Sequence, residues 1–236
     1  MKFKILVILL FSSIFLFSQS TKRQYIGLSI GPSFPSTDFA KGNINDSTSG
    51  WAKTGVAINL TYSYRLTHNF GIYVTAIFSS NQFDNIRYKD ALEKERPEYG
   101  VSVESTKNWS GGGILVGPYI RLPLSDNFSW DFRGSFGFFG ANSPKITIRT
   151  TLIADESQKE EYYRESGSAF SYTYSFGTGF KYKLSKYYVL LFGDYFNSPL
   201  KFQNASGWDW EDEPYIIEFS QNISYISVTI GLGFYF

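Results

Sequence analysis

A chain of 236 residues in which 22 lysines and arginines face 21 aspartates and glutamates has a formal net charge of +1, without the basic excess of a nucleic-acid binder. It contains no cysteine, which excludes disulfides, thiolate metal sites and a lipid-anchored N-terminus. Aromatic residues reach 19%, with 23 Phe and 18 Tyr, while His68 is the single histidine, so general-base chemistry of the usual kind is scarce.

The first twenty residues read as a secretory signal peptide. Lys2 and Lys4 form a short positive region, and Ile5 to Phe17 is apolar apart from Ser12 and Ser13. Ser18, Gln19 and Ser20 then supply small residues for cleavage, after Ser18 or after Ser20. The apolar run is too short to anchor in a membrane. Residues 21–236 then form one domain. No later segment is apolar for long enough to make a transmembrane helix, so a membrane could be entered only as a closed barrel, because lipid offers no partner to open backbone groups.

From there a period of two recurs along the chain. Val56, Ile58, Leu60, Tyr62 and Tyr64 alternate with Gly55, Ala57, Asn59, Thr61, Ser63 and Arg65. Phe128, Trp130, Phe132, Phe136 and Phe138 alternate with Ser129, Asp131, Arg133, Ser135 and Gly137, and the same contrast runs from Phe170 to Tyr182. Eight strands are predicted, at 25–34, 53–65, 70–83, 110–122, 128–141, 169–184, 187–202 and 222–236, each long enough for a tilted strand to cross hydrocarbon. Their connections alternate in length. Arg65 to Asn69, Arg121 to Asn127 and Lys183 to Tyr187 are tight; 35–52, 84–109, 142–168 and 203–221 are long. Sorting of this kind predicts an all-β, eight-stranded antiparallel up-and-down transmembrane β-barrel, with short turns and both termini on the periplasmic side.

Within the long loops, 89–98 predicts a short helix stopped by Pro97. The alternation through 145–152 predicts that strands five and six project beyond the membrane as a hairpin. Gly207 to Pro214 is acidic with Trp208 and Trp210. It reads as an interfacial tryptophan girdle beside a solvated loop, the alternative being a cation or sugar contact at the cell surface.

The last eight residues place Thr229, Gly231, Phe234 and Phe236 at the spacing of an assembly signal. Ile226 through Phe236 put apolar residues on one face, and Thr229, Gly231, Gly233 and Tyr235 on the other. This resembles the C-terminal signal that the barrel-assembly machinery reads on the closing strand of bacterial outer-membrane barrels. Together with the alternating strands and sorted loops, the chain resembles the small outer-membrane β-barrel proteins of the OmpA transmembrane-domain, OmpX and PorT-like type. That resemblance implies the outer membrane of a Gram-negative envelope, with lipid and the assembly machinery as partners. It says little about function, because the fold serves many.

By strand parity Arg65, Arg121, Asp131, Arg133, Lys181, Lys183 and Asp194 face the lumen. An eight-stranded interior is only wide enough to be filled by side chains, so these charges predict a salt-bridge network that plugs it, with inward glycines making room. The alternative is an anion-preferring constriction, hence a narrow porin. The acid pairs at 155–156 and 160–161 sit among Lys and Arg and read as solvated charge, and His68 falls in a short turn. The expectation is therefore a non-enzymatic integral barrel without cofactor or metal. Its long loops are expected to bind a surface ligand or support an envelope protein partner. A soluble lipocalin-like barrel is the remaining alternative, disfavoured because one small lumen cannot hold so many aromatics.

Overall fold

The structure, a computed structural model, describes residues 23–209 and 213–236. Residues 1–22, which include the predicted signal peptide 1–20, and the stretch Trp210 to Asp212 lie outside the described residues. Eleven strands form one antiparallel sheet: β1 (Gln24–Pro35), β2 (Gly55–Arg65), β3 (Phe70–Asn81), β4 (Tyr99–Ser105), β5 (Trp109–Pro123), β6 (Phe128–Asn142), β7 (Ile146–Leu152), β8 (Asp155–Arg164), β9 (Ser168–Leu184), β10 (Tyr187–Trp208) and β11 (Pro214–Tyr235). Among the described residues two helices accompany them, α1 (Thr37–Ala40) and α2 (Asn85–Glu95).

Eight of these strands close a ring. The order β1-β2-β3-β5-β6-β9-β10-β11 ends where β11 pairs with β1, from Tyr25↔Tyr235 to Pro35↔Tyr225. Consecutive ring strands are neighbours throughout, which makes the barrel up-and-down. The connections β2–β3, β5–β6 and β9–β10 are tight turns at one end. Gln24 and Phe236 meet at that same end, the Phe236 N–H donating to the Gln24 carbonyl at 3.0 Å.

Alternation along each strand decides which side chains face out. Val56, Ile58, Leu60 and Tyr62 are exposed, whereas Ala57, Asn59, Thr61 and Ser63 are buried. On β3, Ile72 and Val74 are exposed between Phe70 and Phe78; on β11, Ile226, Val228, Ile230 and Leu232 are exposed and lead to Phe234 and Phe236. The ring thus wears a continuous apolar belt. An aromatic ladder crosses β6 and β9, with Phe138 stacked on Phe170 at 5.6 Å and Trp130 on Phe180 at 5.8 Å.

Three strands lie outside the predicted eight. β7 and β8 form their own hairpin, β4 adds to β7, and β8 joins the tip of β10 through Gly207↔Arg164 and Trp208↔Tyr163. The expectation that strands five and six project as a hairpin is corrected here. β6 stops at Asn142 because Pro144 has no N–H to continue the ladder, and Ser143 turns instead to Gly167, exchanging two contacts of 2.9 Å. The hairpin that rises is β10–β11, carried past a register shift between Phe202 and Ala205. The helix begins at Asn85, four residues sooner than predicted, because Asp84 caps it by accepting from the Arg87 N–H at 3.2 Å. It ends at Glu95, short of the residue before Pro97.

Candidate functional site

The lumen is built in three layers. At mid-height, Asp131 and Arg133 come from β6, Lys181 from β9 and Asp194 from β10. Lys181 Nζ lies 2.7 Å from Asp131 Oδ2, and the two side chains are 5% and 2% exposed. Arg133 Nε donates to Asp194 Oδ1 at 2.7 Å, and its second donor reaches Asp194 Oδ2. Aromatic rings complete both cationic sites. The Arg133 guanidinium lies 3.8 Å from the centroid of Phe192, and Lys181 Nζ lies 4.0 Å from that of Tyr25. Two bases and two acids therefore neutralise one another. The space left around Arg133 and Asp194 is only about 10 Å³, near the size of a single water.

Glycine makes this crossing possible. Arg133 pairs with Gly177, which pairs in turn with Asp194, so the ion pair bridges across a residue with no side chain. A Cβ on Gly177 would lie 1.8 Å from Asp194 Oδ1 and 2.8 Å from the Gly193 carbonyl oxygen. Gly177→Ala is expected to destabilise the barrel by about 1–3 kcal/mol, as overpacking does. Urea unfolding in detergent measures this, and an unchanged midpoint would mean that the carboxylate moves aside freely.

Above the charges, away from the turns, large apolar side chains fill the interior beside buried polar ones such as Ser33 and Asn81. Phe139, Phe196, Phe202, Leu200 and Tyr225 pack with Trp109, and Phe39 of α1 closes over them. Below, Arg65, Arg121 and Lys183 do not join the central pairs. They line a cavity of about 700 Å³ at the turn end, with His68 and Asp126. The seven predicted lumen charges thus divide: four form the paired layer and three surround the mouth.

The residues whose spacing predicts an assembly signal lie on the closing strand, β11. Thr229 is fully buried on the inner face. Gly231 lies so close to β1 that a Cβ would come within 2.1 Å of the Leu28 carbonyl oxygen. Phe234 and Phe236 face outward, their rings stacked at 6.2 Å.

A site that sequence reasoning missed lies over the barrel. The long loops fold into a head in which Trp51, Phe83, Val101, Ile146 and Ile148 are buried together, flanked by Tyr88 and Leu92 of α2. Trp51 has φ 52°, a left-handed conformation that costs a non-glycine residue about 1–3 kcal/mol. It is held there by backbone bonds from its N–H to Lys41 and from Asp84 to its carbonyl. The head encloses a cavity of about 450 Å³ with Trp51, Tyr88, Ile148, Tyr162 and Arg164 in its wall and Trp109 below. Burial pushes the Tyr88 phenol up. Hydrogen bonds from Lys41 and then Thr48 hold the Asp46 carboxyl, at the cavity's edge, well below the usual carboxylate range. The signal available in sequence was the alternation of Ile146 and Ile148, together with Trp51 and Tyr88 in stretches otherwise read as loops and Phe83 at the end of the predicted third strand.

No protein-family model matches the chain, and no curated protein matches it either. Among solved structures it is similar to Neisserial surface protein A, at 10% identity over 90% of this chain and 97% of that one, with a TM-score of 0.49. It is also similar to the attachment invasion locus protein Ail of Yersinia pestis, at 12% identity over 92% and 100%, TM-score 0.44. A major outer membrane protein of Thermus thermophilus matches at 11% identity over 90% and 99%, TM-score 0.45.

Proposed function

We propose that this chain is an integral β-barrel of the bacterial outer membrane, non-enzymatic and with a plugged lumen. Its folded head is exposed at the cell surface, for binding a ligand or supporting an envelope complex. The observation that carries this reading is the apolar belt around a closed ring whose central charges are paired. Such a belt in water would be an aggregation surface, whereas in lipid it is the solvated face, and a closed ring leaves no backbone edge unsatisfied. Outer-membrane lipid and the barrel-assembly machinery are then its partners. Short turns and both chain ends face the periplasm. The single histidine lies at the turn end, remote from the head cavity, which supports binding rather than catalysis.

The narrow-porin alternative draws on the wide turn-end mouth with its three bases. Against it weigh the two central ion pairs and the packed layer of Phe139 and Phe202, which support a plugged lumen. The same filling argues against a lipocalin-like carrier.

Two measurements test the proposal. Boiled and unboiled samples in detergent gels should migrate differently; identical migration with recovery in the soluble fraction would reject the membrane barrel. In planar bilayers the protein should show no steady conductance. A stable conductance selective for chloride over potassium would instead promote the porin.

A further inference from the structure

The head cavity holds unused polar groups beside the apolar side chains of its wall, which also carries Asp46, Glu95 and Arg96. Thr150 is 3% exposed, lines the cavity, and its hydroxyl has no hydrogen-bond partner. Arg164 Nε is also buried without a partner, and its guanidinium lies 4.9 Å from the centroid of Phe219. Buried donors are satisfied in the great majority of folded proteins, so each unsatisfied one calls for a reason. Register relates the two groups. Ile146 pairs with Arg164, Ile148 with Tyr162 and Thr150 with Glu160, which sets Thr150 and Arg164 on one face of the β7–β8 hairpin with Ile146, Ile148 and Tyr162 between them. Four residues of strand separate the two groups by roughly 13 Å at about 3.3 Å per residue.

The cavity also meets the barrel core at Trp109. Trp109 forms its floor, held by its Nε1 donating to the Gly50 carbonyl at 2.9 Å and by ring contacts with Phe39 and Phe202 at 5.7 and 5.6 Å. A volume near 450 Å³ is within the range of small-molecule sites.

The geometry points to a binding site for an elongated amphipathic carboxylate. Its anionic end sits on Arg164, its apolar body lies against Ile146, Ile148 and Trp51, and a polar far end meets Thr150. The Arg164 guanidinium matches one carboxylate through its planar fork, and the Ile146, Ile148 and Trp51 side chains in the wall give no partner to a peptide backbone. The inference rests on the surface-binding reading of the head and deepens it.

The test titrates the protein in nanodiscs with 10-hydroxydecanoate, decanoate and decanol. Tryptophan fluorescence is followed, since Trp51 and Trp109 line the cavity, and protein-free nanodiscs supply the baseline for partition of each acid into lipid. Saturable binding is expected, tightest for 10-hydroxydecanoate, weaker for decanoate and weakest for decanol. Arg164→Gln should weaken both acids about tenfold or more, as loss of a charged hydrogen bond does, and leave decanol unchanged. Thr150→Val should abolish the advantage of the hydroxyl while decanoate binds as before. A response that only tracks lipid partition, or equal binding of the acids to wild type and Arg164→Gln, would overturn the site. Boiled and unboiled gels of the same samples separate the two failures. A retained shift without saturable binding rejects the carboxylate site alone, and a lost shift in the wild type rejects the barrel reading itself.

Discussion

Arg133→Ala is expected to destabilise the barrel by about 3–5 kcal/mol, because it leaves Asp194 as a buried charge without its partner. The cost is large for a structural reason. The two side chains are 9% and 8% exposed, so water cannot replace the lost guanidinium. The guanidinium also lies against Phe192, and its removal opens a void in the charged layer. A double change of Arg133→Met with Asp194→Leu should recover much of the loss, since a neutral, well-packed pair has no desolvation penalty to offset. Urea titrations followed by the gel shift give all three values. If the single and double variants lose stability equally, the pair contributes through packing and not through charge.

Deletion of Phe236, or Phe236→Asp, should strongly reduce accumulation in the outer membrane and leave the chain periplasmic and degraded. Phe236 is outward and stacks on Phe234, and its N–H closes the ring onto Gln24. A charge there would sit in the lipid belt of the strand on which closure depends, where carboxylates are unfavourable. Tyr235→Ala should have a smaller effect, because Tyr235 points inward and packs edge-on against Tyr188 at 5.6 Å. Fractionation with an immunoblot distinguishes the cases. Equal amounts of all three variants in the outer membrane would mean that the spacing of Thr229, Gly231, Phe234 and Phe236 is coincidental.

The ring itself was legible in the sequence because its signal is local. Each ring strand carries its own alternation, so Val56 and Ile58, or Phe136 and Phe138, can be assigned to the outer face without knowing their neighbours. Turn length likewise sorts the two ends from spacing alone. Parity also places Arg133 and Asp194 on the inner face, but it cannot pair them. They are far apart in the chain and meet only because Gly177 lies between them in the register of β6, β9 and β10. Nor can parity separate Arg65, Arg121 and Lys183 from that layer, since height in the barrel follows from register and tilt, which belong to the closed sheet. The head escaped the reading for a related reason. β8 is polar and charged through most of its length, α2 buries its residues only in part, and β4 pairs with β7 across more than forty residues of chain. What the sequence by itself determined is therefore the number, faces and ends of the ring strands, because a period of two is written residue by residue. Only the tertiary structure decided which charges meet, and that the loops close over a cavity, because both depend on contacts between segments that carry no mark of one another.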